Sequence, residues 1–359
     1  MPFRLAPIFL LACVCASAAD KAADAALTAG PYSVMHKKLT PDSGDKHDYM
    51  SVGPYWWPDP SKPDGLPYIR RDGEINPARN DDQTDSRELH DLFGSVKTLG
   101  IAYRETKQEK YAEHAALLLR TWFLDPATRM NPNLNFGQAV PGRVKGRGTG
   151  IIDTAGLGDL VKVLGVLANS KHWKTADNDG MKAWMKAYTD WLLTSDIGKD
   201  EGAAKNNHGS WYDVQVASMA LFTGRKDLAQ RVLEEAKTKR IAAQIEPDGS
   251  MPLELARTKA FSYSTMNLRA MFELAALGEQ AGVDLWHFQT ADGRSLRKAL
   301  DFLAAYADPA MKWPNAQIDG GVKASNRKEL AALLEHAAVV YHEASYGKLA
   351  KPYGRLREY

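Results

Sequence analysis

Apolar residues recur every three or four positions through most of the chain that follows Ser86. Between Glu109 and Phe123, for example, Ala112, Ala115 and Leu119 keep this spacing, which places them on one face of an α-helix. The same pattern predicts helices over Ser86 to Glu105, Glu109 to Phe123, Gly156 to Ala168, Asp179 to Leu193, Ser210 to Phe222, Lys226 to Ile241, Ser264 to Ala281, Ser295 to Tyr306 and Arg327 to Ser345.

Strand-like alternation is nearly absent, so the body of the protein is predicted to be all-α. Many amphipathic helices with short connections favour pairs of antiparallel helices, arranged as a bundle, a solenoid or a closed ring. No repeat of fixed period occurs, which disfavours a regular solenoid. We therefore expect a barrel of antiparallel helix hairpins, with a central groove lined by the loops between helices.

The segment from residue 20 to residue 85 differs from this helical body. It is rich in Gly, Asp and aromatic residues, and its prolines are too closely spaced for a long helix or a central strand. We predict an irregular but ordered N-terminal arm over residues 20–85, packed on a helical catalytic domain over residues 86–359. The prolines are Pro31, Pro41, Pro54, Pro58, Pro60, Pro63, Pro67 and Pro77.

The first residues have the features of an export signal. Arg4 precedes the apolar run Leu5 to Val14, and the small residues Ala16-Ser17-Ala18 follow, so residues 1–19 are predicted to be removed. The protein would then be periplasmic or secreted. An alternative is a lipoprotein signal that leaves Cys13 lipidated. Because Cys13 and Cys15 are the only cysteines, cleavage after Ala18 or Ala19 would exclude a cysteine nucleophile, a thiolate metal site and disulfides.

Composition narrows the function further. Hydrophobic residues make up 44% of the chain and the formal net charge is +2, spread along the sequence, which is typical of a globular protein and gives no concentrated basic face for nucleic acid. No later segment approaches the ~20 apolar residues of a membrane span. His336 and His342 do not share a helical face, so they do not form a metal-binding pair. Asp81, Asp82 and Asp85 could hold a calcium ion, but their position before a predicted helix favours a helix cap. No metal or cofactor is predicted, and oligomeric state is not indicated.

The first candidate site is Asn206-Asn207-His208, directly before a predicted helix. Ser210 and Asp213 have the spacing of a capping box, which would place the three residues at the helix N-terminus. Amide donors and the helix dipole favour an anionic ligand there. The adjoining Trp211 and Tyr212 could contribute to binding. The alternative is an ordinary turn with a loop histidine.

Two further segments carry suitable chemistry. Arg257 can form paired hydrogen bonds to a carboxylate, and Tyr263 could transfer a proton if a neighbouring cation lowered its pKa. In the glycine-containing segment 135–153, Gln138, Arg143 and Arg147 supply donors for hydroxyls or carboxylates. The alternative for the first segment is that Arg257 is a surface arginine and Tyr263 an ordinary interfacial tyrosine. The alternative for segment 135–153 is a structured connection between helices.

The aromatic residues of the arm suit a polymeric sugar. Tyr55, Trp56 and Trp57 offer flat faces on which pyranose rings can pack, and the neighbouring prolines keep the segment stiff, which lowers the entropic cost of binding. A structural role is equally compatible with these residues, since the tryptophans could anchor the arm on the helical body.

Taken together, these segments resemble a known family. Six features of the sequence are similar to the alginate-lyase superfamily of α/α-toroid polysaccharide lyases. They are Gly53-Pro54-Tyr55-Trp56-Trp57-Pro58-Asp59-Pro60, Asn76-Pro77, Gln138-Ala139-Val140-Pro141-Gly142, Asn206-Asn207-His208, Arg257 and Tyr263. The likeness covers nearly all of the mature chain. It is strongest to polysaccharide lyase family 38, a cousin of family 5, in which the Arg and Tyr are seven residues apart and not six as here.

This resemblance implies an incomplete α/α toroid and β-elimination in a 1,4-linked polyuronate, either alginate or glucuronan. Asn207 and Arg257 would neutralise the carboxylate of the sugar at the cleavage point, and His208 and Tyr263 would handle protons. Preorganised donors would stabilise the charge that develops when the C5 proton leaves. The substrate would be an anionic polysaccharide.

The roles of the two proton-transfer groups depend on the sugar. In mannuronate and glucuronate the C5 proton and the C4 oxygen lie on the same side, so Tyr263 could serve as base and acid, starting as a phenolate beside Arg257. In guluronate they lie on opposite faces, which would make His208 the base and Tyr263 the acid. His208 could otherwise only orient Tyr263 or the carboxylate.

Two other functions fit the sequence. A glycoside hydrolase would need two carboxylates across a cleft, and Glu254, Asp213 and Asp319 are the residues that could supply them. An exported protein that binds a glycan without cleaving it is the other alternative.

Overall fold

The computed structural model describes residues 18–354. Its α-helices are α1 (Ala18–Ala26), α2 (Ser86–Thr106), α3 (Glu109–Leu119), α4 (Leu157–Leu167), α5 (Thr175–Thr194), α6 (Asp196–Gly202), α7 (Asn207–Phe222), α8 (Lys226–Ala236), α9 (Pro252–Leu255), α10 (Ala260–Ala281), α11 (Leu296–Ala304), α12 (Ala324–Val340) and α13 (Ala344–Ala350). The predicted all-α body is confirmed. Residues 1–17, which hold both cysteines and nearly all of the predicted export signal, lie outside the described part of the chain.

Several predicted helix ends are wrong, although the helices themselves exist. Single π-helical turns at Arg120–Leu124 and Lys237–Ala242 follow α3 and α8. Helix α7 begins three residues before Ser210, and α10 begins four residues before Ser264. The predicted helix over Arg327 to Ser345 is interrupted after Val340, where His342 adopts a left-handed φ of 51°, and α13 follows.

Short strands organise the arm. Strand β1 (Met50–Val52) pairs in parallel with β4 (Phe136–Ala139), which lies beyond α3. Strands β2 (Trp56–Trp57) and β3 (Ile69–Arg70) form an antiparallel pair in the arm itself. Val34 and Tyr49 are fully buried. The arm therefore contributes side chains to the core and is held to the helical body through backbone hydrogen bonds.

A buried ion pair fixes the junction between the arm and α2. The sequence suggested that Asp85, which precedes α2, caps the helix with its carboxylate. In the structure this carboxylate makes no capping hydrogen bond. It accepts a hydrogen bond from the Met50 amide at 2.8 Å and lies 3.0 Å from the Lys37 ammonium group. Lys37 also donates to the backbone carbonyl of Val34. The carboxylate thus joins two parts of the arm at the helix start.

Two hydrophobic clusters meet at α7. One cluster extends from α1 to α8 and the other from α7 to α13, and α7 contributes to both, with Tyr212 and Val216 in the first and Val214 and Ala217 in the second. Helix α7 packs on α4, α5, α8 and α10. The N-terminus of this central helix is therefore held from several sides. Among residues 18–354, no helix is both long and apolar enough to cross a membrane.

Candidate active site

One cavity of about 760 Å³ collects most of the residues that the sequence singled out. It lies between the arm, the segment before α4, the start of α7 and the start of α10. The predicted site residues that line it are Tyr55, Trp56, Gln138, Arg147, Asn206, Asn207, His208, Arg257 and Tyr263. The structure therefore brings together segments that are up to 208 positions apart in the chain.

The start of α7 positions two of these side chains. Asn206 is the N-cap residue, and its side-chain oxygen accepts a hydrogen bond from the His208 amide at 3.2 Å. The predicted capping box is wrong because Asn206 already occupies the cap position, one turn earlier. Ser210 instead donates to Gln244, and Asp213 forms a buried ion pair with Arg240 at 2.6 Å.

Asn207 is fully buried and held by a carboxylate. Its backbone amide and its side-chain nitrogen donate to the two oxygens of Glu254, at 2.6 and 2.8 Å. Burial raises the pKa of Glu254, although the Asn207 hydrogen bonds oppose this shift. The side-chain oxygen of Asn207 has no hydrogen-bond partner. The side-chain amide is thus fixed in orientation, with its second N–H still available to a ligand.

His208 also hydrogen-bonds a buried carboxylate. Its Nδ1 lies 2.7 Å from Oε1 of Glu201, whose side chain is only 2% exposed. Burial raises the pKa of Glu201, and the hydrogen bond to His208 opposes this shift. A carboxylate on Nδ1 fixes the tautomer of a neutral imidazole with its proton there. Nε2 is then the nitrogen that can exchange a proton with a ligand in the cavity.

Tyr263 lies in a cluster of hydroxyl and guanidinium groups. Arg257 donates from Nη2 to the Tyr263 hydroxyl at 2.8 Å, and its guanidinium lies 3.8 Å from the centre of the tyrosine ring. The Tyr55 hydroxyl is 2.5 Å from the Tyr263 hydroxyl. Burial and Tyr55 raise the pKa of Tyr263, and the Arg257 charge does not reverse this. This raised pKa favours the neutral phenol over the phenolate that the mannuronate and glucuronate route requires.

The glycine-containing segment before α4 supplies a partly buried cation. Arg147 donates from Nε and Nη2 to the carbonyl and side-chain oxygens of Gln138, both at 3.0 Å. Gln138 in turn donates to the buried Asp153 at 2.8 Å and has a left-handed φ of 48°. Gln138 is neutral, so these two hydrogen bonds do not neutralise Arg147. Burial lowers the pKa of Arg147, and the charges of Asp153 and Glu201 oppose this shift.

Trp56 lies beside two arginines. The guanidinium carbons of Arg147 and Arg143 are 5.7 and 5.4 Å from the centre of its ring. Arg143 does not line the cavity, and it is exposed and donates to the Tyr68 carbonyl at 2.9 Å. Arg143 therefore contacts Trp56 without lining the cavity.

Three other predicted binding residues lie outside the cavity. Trp57 donates to the Glu74 carbonyl at 3.0 Å and contacts Arg71. Trp211 and Tyr212 are buried in the hydrophobic clusters, and the Tyr212 hydroxyl donates to the Leu192 carbonyl. Because these two residues follow His208 within α7, the helix turns their side chains into its packed interfaces. None of the three is placed to contact a ligand in the cavity.

Sequence reasoning missed Glu201, described above with His208, and two further carboxylates. Asp72, on the arm, accepts hydrogen bonds from Arg257 at 2.8 and 3.2 Å. Asp153 lines the cavity and accepts from Tyr49, Ser51, Arg79 and Gln138. Neither residue belongs to a motif, since their partners are brought together only by the fold. The carboxylates that a hydrolase could use, Glu254, Asp213 and Asp319, do not line the cavity. Within the described chain, no cluster of His, Cys, Asp and Glu is placed to hold a metal ion.

The ring of helices around an arginine- and tyrosine-lined cavity places this protein in the class of α/α-toroid proteins. The sequence model of the alginate lyase family matches residues 33–313, so the chain belongs to the alginate lyase family. The resemblance to the alginate-lyase superfamily is thereby confirmed.

Solved structures agree with this assignment. The crystal structure of an alginate lyase from Bacteroides ovatus is 44% identical, with a TM-score of 0.90, over 94% of this chain and 89% of that chain. The alginate lyase A1-III, as a His-to-Ala variant complexed with a tetrasaccharide, is 18% identical, with a TM-score of 0.59, over 91% of this chain and 88% of that chain. The second likeness concerns the fold alone.

Curated relatives match over shorter stretches. An alginate lyase of Pseudomonas syringae pv. tomato is 32% identical over 132 residues, which is 36% of this chain and 33% of the relative. An alginate lyase of Pseudomonas syringae pv. syringae (strain B728a) is 29% identical over 135 residues, which is 36% of this chain and 34% of the relative. The chain thus aligns with about a third of the length of each.

Proposed function

We propose that the protein is a polysaccharide lyase that cleaves 1,4-linked polyuronates, alginate in the first place and glucuronan as the alternative, by β-elimination. The observation that carries this proposal is the convergence of Asn207, His208, Arg257 and Tyr263 on one cavity. Together they offer carboxylate-binding donors and two proton-transfer groups, which is what elimination beside a uronate carboxylate requires.

Charge neutralisation is assigned to Asn207 and Arg257. Removal of the C5 proton places a second negative charge next to the ionised carboxylate, so fixed donors lower the barrier. The Asn207 side-chain nitrogen uses one N–H on Glu254, and the other is available for the sugar. Arg257 donates from Nε to Asp72 and from Nη2 to both Asp72 and Tyr263. Nη1 is then the nitrogen that can bind the sugar carboxylate.

Proton transfer is assigned to His208 and Tyr263. With guluronate at the cleavage point, His208 Nε2 takes the C5 proton and the neutral Tyr263 protonates the C4 oxygen. With mannuronate or glucuronate, Tyr263 must first lose its proton, and it then acts as base and acid in turn. The neutral state of Tyr263 in the free protein suits the first route without prior ionisation.

Sugar units on either side of the cleavage point are assigned to the arm and to the segment before α4. Arg147, whose hydrogen bonds go to the neutral Gln138, offers a positive charge for a second uronate carboxylate. Gln138 and Asn206 offer amide groups for hydroxyls, and Tyr55 and Trp56 offer ring faces.

We assign the protein to polysaccharide lyase family 38, to which the motifs of the sequence are most similar. The six-residue spacing of Arg257 and Tyr263 departs from the seven of family 5. We also propose an exported protein whose arm, residues 20–85, is packed on a catalytic domain, residues 86–359. Contacts of the arm with both Arg257 and Tyr263 support this organisation.

An absorbance assay tests the function. The purified protein is incubated with polymannuronate, polyguluronate, glucuronan and hyaluronan, because elimination leaves a C4–C5 double bond that absorbs in the ultraviolet. We expect absorbing product from at least one alginate block or from glucuronan. New reducing ends without this absorbance would indicate a hydrolase, and neither signal would indicate a binding protein. Either result would contradict the proposal.

A further inference from the structure

We propose that Asp72 is a positioning residue, whose carboxylate holds the Arg257 guanidinium so that Nη2 reaches the Tyr263 hydroxyl while Nη1 faces the substrate. The inference rests on the proposed function and assigns to the reaction a residue from outside the helical body. Asp72 does not line the cavity, so it would act through Arg257 and not on the sugar.

The contact has the geometry of a paired arginine–carboxylate interaction. Asp72 Oδ1 accepts from Arg257 Nη2 at 2.8 Å, and Oδ2 accepts from Nε at 3.2 Å. Two parallel hydrogen bonds fix the plane of the guanidinium as well as its position. The same Nη2 also donates to Tyr263 at 2.8 Å. The direction of the Arg257–Tyr263 hydrogen bond therefore depends on where the carboxylate lies.

Asp72 is itself held in place. Thr258 donates from its hydroxyl at 3.0 Å, and Arg70 donates from Nη2 at 2.6 Å. The next residue, Gly73, has a left-handed φ of 79°, and a Cβ atom there would collide with the Thr258 and Ile318 side chains. The arm can thus approach Thr258 this closely because residue 73 is a glycine.

The same part of the arm also reaches Tyr263. The Arg71 amide donates to the Tyr55 carbonyl at 2.8 Å, next to the pairing of β2 with β3. This hydrogen bond ties Tyr55 and Asp72 into one unit, and the two residues contact Tyr263 and Arg257 respectively. One short piece of the arm therefore determines the surroundings of both groups.

Charge limits what Asp72 can do. Burial opposes ionisation, but the hydrogen bonds and charge of Arg257 lower the pKa of Asp72 to about 2. Asp72 is consequently ionised at neutral pH and cannot serve as a general acid. Its negative charge also raises the pKa of Tyr263 and does not activate the phenol. The role that remains beyond attachment of the arm is to orient Arg257.

Kinetics of Asp72→Ala and of the isosteric Asp72→Asn test this role on a polymer that the wild-type protein cleaves. A misplaced guanidinium should lower kcat by about 100-fold in Asp72→Ala, with KM changed by less than about threefold. Asp72→Asn keeps one acceptor, so it should recover about tenfold of the lost kcat. Asp72→Asn carries the test if Asp72→Ala does not fold.

Asp177→Ala is the matched control. Asp177 accepts paired hydrogen bonds from Arg120 at 2.8 and 2.6 Å and lies away from the cavity. We expect the melting temperature of Asp177→Ala to fall, as we also expect for Asp72→Ala. The kcat of Asp177→Ala should stay within about twofold, since the loss of an ion pair alone does not reach the reacting atoms.

A double-mutant cycle separates positioning from attachment. If Asp72 acts through the guanidinium, Asp72→Ala should change kcat by less than about threefold in an Arg257→Lys background. Two results would overturn the positioning role alone. One is that the effects of the Asp72 and Arg257 substitutions on kcat are fully additive. The other is that both Asp72 variants fold and their kcat stays within threefold of an active wild type. Failure of the wild-type protein to give absorbing product from any polymer would overturn the proposed function and this role with it.

Discussion

At the scale of single residues, each of three site groups is backed by a carboxylate that does not itself line the cavity. The pairs are Asn207 with Glu254, His208 with Glu201 and Arg257 with Asp72. A hydrogen bond on the far side of a donor fixes its orientation, and this preorganisation lowers the cost of reaching a transition state. Tyr263 differs, because its hydroxyl neighbours are Arg257 and another phenol, Tyr55.

Replacement of Tyr263 by Phe tests its role in proton transfer. The substitution removes the hydroxyl and retains the ring, so we expect the ultraviolet-absorbing product to fall below about one thousandth of the wild-type rate while the circular dichroism spectrum is unchanged. Tyr341→Phe is the control, because the Tyr341 hydroxyl is also hydrogen-bonded, donating to the Trp286 carbonyl, but lies outside the cavity. Near-normal turnover by Tyr263→Phe would contradict the assignment.

Replacement of His208 by Ala removes the second proton-transfer group. We expect kcat to fall by about 100-fold or more, the scale of general acid–base catalysis. His36→Ala is the control, because His36 also pairs with a carboxylate, Glu88, at 2.9 Å but is on the surface of the arm. A loss of less than about threefold in His208→Ala would leave the histidine with a structural role.

The pH dependence of kcat/KM should differ between substrates. Burial and Tyr55 raise the pKa of Tyr263, so its phenolate appears only at alkaline pH. On polymannuronate, where Tyr263 must be ionised to act as base, kcat/KM should rise about tenfold per pH unit above neutrality. On polyguluronate Tyr263 acts in its neutral form, so no such rise is expected. A flat alkaline profile on a polymannuronate that is cleaved would contradict the phenolate route.

Part of the site was predictable residue by residue. Asn207, His208, Arg257 and Tyr263 stand in polar segments that precede apolar helices, and the resemblance grouped them. Asp72 and Glu201 were not predictable, because each is an ordinary charged residue whose partner is set by tertiary structure. The direction of the Tyr263 pKa shift was not predictable, because the sequence shows the nearby cation but not the burial or Tyr55.

At the scale of elements, the N-terminus of α7 carries Asn207 and His208 and is packed too tightly for any side chain at the next position. A Cβ atom on Gly209 would lie well inside contact distance of the Ala204 carbonyl oxygen and the Arg240 guanidinium. This glycine is buried and helical, so its role is close approach and not a special φ angle.

Gly209→Ala should therefore displace the start of α7. We expect the free energy of unfolding to fall by about 1–3 kcal/mol, as for other overpacked sites, and kcat to fall with it. Gly165→Ala in α4 is the control. Gly165 is exposed, and a Cβ atom there would meet nothing within 4 Å. Because alanine has a higher helix propensity than glycine, this substitution should stabilise the protein slightly. Urea unfolding and kinetics measure both. A fully active, equally stable Gly209→Ala would contradict the packing argument.

The helices themselves followed from apolar periodicity, whereas their ends did not. Periodicity reports which residues face the core, but an end is decided by local capping groups. At α7 the Asn206 side chain caps the helix and makes Ser210 an interior residue. The break between α12 and α13 is likewise local, because Tyr341 and His342 leave the helical conformation within an otherwise helical pattern.

At the scale of the whole molecule, the formal charge of +2 is small, so attraction of a polyanion must come from local fields. Among the cations around the cavity, Arg79 pairs with Asp153, and Arg257 pairs with Asp72. Arg147, by contrast, donates its hydrogen bonds to the neutral Gln138. Local charge at Arg147 should therefore contribute to the capture of substrate.

Salt should accordingly weaken binding more than catalysis. Raising sodium chloride from about 0.05 to about 0.5 M should raise KM by about three- to tenfold and leave kcat within about twofold, because ions screen exposed charges at these concentrations. Arg147→Gln should show a higher KM and a shallower salt dependence. Arg225→Gln, which breaks an ion pair with Asp190 outside the cavity, is the control. An unchanged salt dependence in Arg147→Gln would contradict this assignment.

The contacts between the arm and α10 have a consequence for how the molecule becomes functional during synthesis. Tyr55 and Asp72 leave the ribosome early, but their partners Tyr263 and Arg257 follow 208 and 185 positions later. A nascent or truncated polypeptide that stops after α8 would already contain Asn207 and His208, yet its active site could not be assembled. Turnover should thus begin only after Tyr263 has been made.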